Sequence, residues 1–205
     1  MFNGIIFNTG TVEKIFKAKK SYELILKTQL KFKNSDIGSS ISCNGTCLTL
    51  TKIHGRLITF YLSKETLKKT NLMNIQKGDI INIEKSLLYG SKISGHYVQG
   101  HTDTTAKILK ILIEDKTWVV TFVVGKFFSK YLIEKGSIAI NGVSLTISKI
   151  FKKNKFEINI IPHTLQLTNL IYIKKNEYVN IEFDIFSKYL INLKKWIKKK
   201  ILYHQ

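Results

Sequence analysis

Residues 41–51 read ISCNGTCLTLT, and residues 138–148 read IAINGVSLTIS. Each is an Asn-Gly pair between short alternating runs, the strongest local signal for a two-residue hairpin. In the first copy this sets Cys43 opposite Thr46 and Ser42 opposite Cys47. Side chains alternate along a strand. Ile41, Cys43, Thr46, Leu48 and Leu50 therefore share one face, and Ser40, Ser42, Cys47, Thr49 and Thr51 the other. The second copy sorts in the same way, with Ile138, Ile140, Val143, Leu145 and Ile147 against Ser137, Ala139, Ser144, Thr146 and Ser148. The first face reads as core. The second is small, polar and uncharged in both copies. An ordinary solvated face explains that composition in most proteins. In this lysine-rich chain such a face should have collected lysines, and ten positions hold none. Small hydroxyls and a thiol fit the floor of a pocket for a flat, neutral, polar ligand, and two copies imply two related pockets.

The hairpin belongs to a longer repeat. IQKGDIINIE (75–84) returns as IKKNEYVNIE (173–182), ETLKKTNL (65–72) as HTLQLTNL (163–170), and MFNGIIFNTGTV (1–12) is answered by YVQGHTDTTAKI (97–108). The pieces keep their order at offsets of 96 to 98 residues. SYELILKT, GRLITFYL, DIINIE, WVVTFVV and KFEINII are short, β-branched or aromatic, and bounded by turn signals, so they read as strands. Six or so strands in each unit predict an all-β chain of two similar small closed barrels. SKETLKKTNL and GKFFSKYLIEK read as short helices or turns between strands. Phe186, Tyr189, Leu190, Leu193 and Ile197 recur at helical spacing and form an apolar stripe on a C-terminal helix. The expected division is a first barrel over 1–96, with a linker from about 89, a second over 97–185, and the helix over 186–205.

Composition bounds the function. The chain has 205 residues, 44% hydrophobic, enough for real cores. It has no apolar run long enough to span a membrane and no secretory signal at its start. Its two cysteines, Cys43 and Cys47, point to opposite faces of the hairpin, so neither a disulfide nor a shared metal is expected, and a reducing compartment such as the cytoplasm fits. The formal charge is +19. Arg56 is the only arginine, however, and the lysines are scattered, apart from a block at Lys194–Lys200. Nucleic-acid sites favour arginine for bidentate contacts, so the lysines read as a solvated surface and no nucleic-acid partner is expected.

MFNGII, NGTCLT, KETL, GHYVQGH, KGSIAINGVSLT and IPHTL together resemble the riboflavin synthase α-chain family, over essentially the whole chain. The resemblance implies a duplicated lumazine-binding unit, each a six-stranded Greek-key barrel, and a homotrimer assembled through the C-terminal helix. It implies a reaction between two molecules of 6,7-dimethyl-8-ribityllumazine, one giving a four-carbon unit to the other, with riboflavin and 5-amino-6-ribitylaminouracil as products. No cofactor or metal is implied. The site would lie between the first barrel of one subunit and the second barrel of a neighbour, and association with lumazine synthase is a further partner it raises.

Carried onto this chain, the resemblance gives a first pocket of Gly4, Ile5 and Ile6 with Phe2 beside them, then Cys47, Leu48 and Thr49, the run Tyr61, Leu62, Ser63, Lys64, Glu65 and Thr66, and Ser40 nearby. The second pocket takes Gly100, His101 and Thr102, then Lys135, then Ser144, Leu145 and Thr146, then Ile160, Ile161, Pro162, His163, Thr164 and Leu165. Asp184 matches a polar position near the reaction centre. His163 stands at a position that is acidic in some relatives. Cys47 and Ser144 are the expected nucleophiles or orienters of water, and His101 and Thr146 the expected aids to proton transfer. His54, His96 and His204 have no such context. Two other readings compete. A non-catalytic lumazine or flavin carrier would let its second copy drift, whereas NGVSLT, His101 and Lys135 are intact here. A single-strand nucleic-acid binder would carry strand-borne aromatics among basic residues, and the paired hairpins have none.

Overall fold

The computed structural model describes residues 1–17, 22–152 and 154–202, with side chains omitted at 17, 195 and 198–202. His204 and most of the Lys194–Lys200 side chains therefore lie outside the described residues. Six strands close the first barrel: β1 (Asn8–Lys17), β2 (Tyr22–Thr28), β3 (Ser40–Cys43), β4 (Thr46–His54), β5 (Leu57–Leu62) and β6 (Ile80–Lys85). Their order around the barrel is β1-β2-β5-β4-β3-β6, all neighbours antiparallel. The second barrel repeats that order with β7 (Thr104–Glu114), β8 (Thr117–Val123), β9 (Ser137–Ile140), β10 (Val143–Phe151), β11 (Lys155–Ile160) and β12 (Tyr178–Phe183). Short helices α1 (Lys64–Lys69) and α2 (Pro162–Leu167) follow the fifth strand of each, and α3 (Ile185–Leu202) follows the second barrel.

The alternation read from the hairpins holds on the core side. Ile41, Cys43, Leu48 and Leu50 are buried in the first barrel, and Ile138, Ile140, Val143 and Ile147 in the second. Burying each such side chain is worth about 2 kcal/mol. Phe122 and Phe156 stack at 5.3 Å between ring centres inside the second barrel. Burial pushes the Cys43 thiol well above its usual range, as suits a structural residue.

The opposite face is not one pocket floor, which corrects the uniform reading of its ten positions. Ser42 and Ala139 are each 1% exposed: Ser42 lies where the two hairpin tips meet, and Ala139 lies under Phe2 and Val98 of the irregular segments before β1 and β7. A Cβ on Gly45 would lie 2.6 Å from the Gly142 backbone nitrogen, so only glycine permits the approach. Thr51 and Ser148 sit at bulges in β4 and β10, and their hydroxyls bond their own sheets, to Thr59 O and Glu157 O at 2.9 Å each. Only Ser40, Cys47 and Thr49, with Ser137, Ser144 and Thr146, remain for a ligand.

Around the two tips, six asparagines join the barrels with approximate twofold symmetry. Asn82 N–H donates to Asn44 Oδ1 and Asn180 N–H to Asn141 Oδ1. Asn82 Nδ2 donates across the interface to Asn141 O at 2.9 Å, and Asn180 Nδ2 to Asn44 O at 2.8 Å. Asn169 N–H reaches Asn82 Oδ1, and Asn71 N–H reaches Asn180 Oδ1. An unpaired buried polar group costs about 1–3 kcal/mol; here the pairs satisfy one another, and Asn71 Oδ1 is the buried exception.

Two irregular arms complete the molecule. Residues 1–7 precede β1 and residues 95–103 precede β7. They touch through a two-residue bridge, Phe2 with Val98, sealed by Ala139. Asn3 Oδ1 accepts the N–H groups of Ser94 and Gly95 at 2.8 Å each.

Candidate functional site

Cys47 and Ser144 occupy the same place in the two barrels, and each lies under an arm. The arms cross. Cys47 N–H donates to Gly100 O, and Ser144 N–H donates to Gly4 O, both at 2.7 Å. Gly4 and Gly100 have φ of +73° and +79°, and a Cβ on either would lie within 2.7 Å of the Ser144 or Cys47 Cβ. Ile6 goes further and packs into the core of the second barrel. This exchanges the grouping expected from the sequence. Gly4, Ile5 and Ile6 belong with Ser144, while Gly100, His101 and Thr102 belong with Cys47. The first half-site therefore gathers Cys47, Thr49, the run from Ser63 to Thr66, and the arm from Gly100 to Thr102, with Thr46 and Thr102 joined hydroxyl to hydroxyl at 3.1 Å. Its fifth-strand loop is set by Ser63, which caps α1 by accepting Thr66 N–H at 3.0 Å.

A carboxylate clasps each arm, half-buried at Glu84 and buried at Glu182. Glu84 on β6 accepts Asn3 N–H at 2.7 Å and Gly4 N–H at 3.1 Å. Glu182 on β12 accepts Gln99 N–H at 2.6 Å and His101 N–H at 2.9 Å. Burial pushes the Glu84 carboxyl up to about 7, against the pull of those two N–H groups and the chain's own amino terminus. Burial also raises Glu182, opposed by the Gln99 N–H and by Lys188. The sequence reading overlooked both acids. Their signal was a glutamate in the same place in two apolar strand runs, INIE and VNIE.

The second half-site holds another residue set aside at first. His96 Nδ1 lies 2.7 Å from Ser144 Oγ. Its Nε2 is buried and has no hydrogen-bond partner among the described residues. Burial lowers the His96 pKa, and the nearby Asp184 carboxylate partly opposes this. The neutral ring can accept the Ser144 proton at Nδ1 while carrying its own at Nε2. Asp184 also starts α3, accepting Phe186 N–H at 2.9 Å. Cys47 has no such partner among the described residues. Its half-buried thiol packs on the apolar group of Phe2, Val98 and Ala139. The two halves are thus chemically unlike at the one position where the repeats differ in nucleophile.

The other expected residues divide by exposure. Leu48, Leu62, Ile160 and Leu165 are core, with Leu145 packed at its edge. Tyr61, Lys64, Glu65, Lys135, Ile161 and His163 face outward, as do His101 and Thr146. Ser40, Thr66, Pro162 and Thr164 are half-buried. His101 rides the arm on the Cys47 side and Thr146 lies on β10, so within one chain they belong to different halves. His54 is an exposed residue at the end of β4.

Residues 3–86 and 99–184 each match the family described as lumazine binding domain. Riboflavin synthase of Buchnera aphidicola subsp. Schizaphis graminum is 38% identical over 202 residues, covering 98% of this chain and 97% of that one. The chain belongs to the riboflavin synthase family. Riboflavin synthase of Escherichia coli is 36% identical over 186 residues, 90% of this chain and 87% of that one. Among solved structures, LumP complexed with riboflavin shares the fold with a TM-score of 0.80 at 24% identity, over 89% of this chain and 99% of that one. LumP complexed with 6,7-dimethyl-8-(1'-D-ribityl) lumazine gives 0.77 at 25% identity, over 89% and 98%. The two matched segments of the family correspond to the two barrels, one carrying Cys47 and the other Ser144.

Proposed function

We infer that the chain is a riboflavin synthase, a transferase that moves a four-carbon unit between two molecules of 6,7-dimethyl-8-ribityllumazine. One leaves as riboflavin and the other as 5-amino-6-ribitylaminouracil. The observation that carries this reading is one chain with two equivalent half-sites whose central residues differ, a thiol in an apolar setting and a hydroxyl on a neutral histidine. A reaction between two identical molecules in different roles needs that arrangement. The Ser144–His96 pair is suited to pass a proton or to present an activated hydroxyl to a ring carbon. The N–H groups of Cys47 and Ser144 on the hairpins, and of Asn3, Gly4, Gln99 and His101 on the arms, are already used, so the side chains of Thr49, Ser63, Thr66, Thr102 and Thr146 are among the groups that can orient polar ligand atoms. Holding two bulky reactants in register supplies much of the acceleration.

The complete site in this reading lies between subunits. The exposed stripe of α3 supports assembly as a homotrimer, bringing the Cys47 half of one chain to the Ser144 half of the next. Free cysteines, together with the absence of a described helix long and apolar enough to cross a membrane, support a cytoplasmic setting.

Purified protein with the lumazine and a chelator should form riboflavin and the pyrimidine in equal amounts. The likeness to LumP favours one alternative, a carrier. Tight binding of lumazine with no riboflavin formed would establish that instead.

A further inference from the structure

The arm that covers Cys47 is tied down along its length. Gly100 O accepts Cys47 N–H, and Glu182 accepts the N–H groups of Gln99 and His101. Asp103 N–H donates to Ile181 O, and the Asp103 carboxylate accepts Phe183 N–H, both at 2.9 Å. One tie reaches outside the barrel. Lys188 Nζ, in the first turn of α3, donates to both Asp103 carboxylate oxygens, at 3.1 and 2.9 Å. With side chains 17% and 21% exposed, this is the most enclosed ion pair among the described residues, so solvent and salt screen it least. Lys188 also acts on the second acid that holds the arm. Burial raises the Glu182 carboxyl and the Asp103 charge adds to that rise, while Lys188 draws it down. The first repeat has no counterpart. At the offsets of the repeat, Phe7, 69% exposed, stands where Asp103 does, and Gly90 where Lys188 does. Among the described residues, only the arm over Cys47 is fastened to α3 by an ion pair.

We propose that Lys188 is a positioning residue of the Cys47 half-site: from the root of α3 it balances the charge of Asp103 and so holds residues 99–103 over the pocket. Its effect on turnover rests on the reading of that half-site as a lumazine pocket; its effect on the arm does not. Without the ammonium group, Asp103 and Glu182 share an enclosed space with no cation between them, and an enclosed charge that loses its partner is costly. Relief comes when Asp103 swings toward water or Glu182 takes up a proton. Either loosens the bonds that place Gln99 and His101, lifts Gly100 from Cys47 and draws Thr102 away from Thr46. The helix that carries the exposed apolar stripe and the pocket that receives a ligand thus share one contact, on one side only. The Ser144 half keeps its own arm and its own clasp at Glu84.

The test compares the full chain with three variants. Lys188→Met keeps the stem and removes the charge, and Lys188→Arg keeps the charge. Lys188→Met with Asp103→Asn removes both charges and retains an oxygen for Phe183 N–H. The readouts are the rates at which iodoacetamide labels Cys47 and Cys43, resolved by peptide mass, and KM and kcat for the lumazine. All are measured at a concentration where sedimentation shows the same state of association. Lys188→Met should label Cys47 about fivefold faster than the parent chain, with Cys43 unchanged. It should raise KM about fivefold and leave kcat within about twofold. Lys188→Arg and the double variant should return each value to within about twofold of the parent. Unchanged Cys47 labelling in Lys188→Met would overturn the proposal. So would equal acceleration at both cysteines, the mark of general loosening, or a double variant as impaired as Lys188→Met. If no chain forms riboflavin, the parent included, the reading of the activity fails, while Cys47 labelling still decides the role of Lys188.

Discussion

Ser144 and Cys47 stand at matched positions with unmatched surroundings, and exchanging their side chains tests what the surroundings do. Ser144→Cys replaces a hydroxyl held by His96 with a longer, weaker hydrogen-bonding group. Losing one such bond is worth about 1 kcal/mol, or roughly fivefold in turnover. Cys47→Ser puts a hydroxyl against Phe2, Val98 and Ala139, and its cost should fall on stability, about 1–2 kcal/mol, more than on turnover. Steady-state rates measured beside unfolding curves separate the two, and equal losses of turnover would refute the division of roles. His96→Gln should follow Ser144→Cys in rate.

The two clasping acids give a pH signature of opposite sign to that of the histidine. Glu84 has a carboxyl raised to about 7 from an ordinary 4.5, so the folded chain holds that proton more tightly than the unfolded chain. Its ionisation erodes stability as pH rises from about 4.5 to 7, by at most about 3 kcal/mol. His96 is depressed from 6.5, so its contribution is lost as pH falls below that value. Glu84→Gln should reduce the downward slope between pH 5 and 7 in denaturant unfolding, leaving the part that Glu182 contributes and the acid-side loss in place. A variant whose slope matches the parent's would mean that Glu84 is not the group responsible.

At the scale of elements, the hairpins were readable because their period is local. Asn-Gly fixes the turn, the turn fixes the register, and the register sorts the faces. Asn44 and Gly45 have φ of 48° and 76°, as such a turn requires. What covers each face is not local. Ser42 and Ala139 look like pocket floor in sequence, and only the meeting of the tips over Ser42 and of the arms over Ala139 shows why they are small. The crossing of the arms was hidden for the same reason: MFNGII and VQGHT resemble each other, and nothing in either states which barrel it lies on. His96 was passed over because its partner lies 48 residues away across a bend. The tip contact can be isolated from backbone strain by comparing two substitutions. Gly45 and Gly55 both have positive φ, 76° and 60°, but a Cβ on Gly55 meets nothing. Gly55→Ala should cost about 1 kcal/mol, whereas Gly45→Ala adds a backbone collision and should cost at least about 2 kcal/mol more in unfolding free energy.

At the scale of the whole molecule, α3 is held at its root and carries an exposed apolar stripe beyond it. Lys188 pairs with Asp103 at 2.9 Å and Ser187 Oγ bonds Asp184 O, which fixes the direction in which the helix leaves the barrel. Beyond that, Phe186, Tyr189, Leu190, Leu193 and Ile197 are each more than two-fifths exposed. Trp196, which the stripe did not include, is 59% exposed. Each leucine in such a stripe is worth about 2 kcal/mol when covered. Removing the residues after Phe186 should leave both barrels folded and still able to bind lumazine. It should weaken self-association and make turnover fall with dilution. Sedimentation and rate measured over the same dilution series decide this, and a truncated monomer with full, dilution-independent activity would sink the shared site.

The crossed arms also set an order of events as the chain is made. Ile6 leaves the ribosome well before the barrel in whose core it packs, the last strand of which ends at Phe183. The first barrel is complete in strands by Lys85, yet Cys47 awaits the carbonyl of Gly100. Neither half can reach its final form while the other is still being translated, and the contacts that finish both span most of the chain, the kind that form slowly. A single repeat released alone would carry an arm without a berth and a berth without an arm, a shape that a second copy of the same repeat could fill.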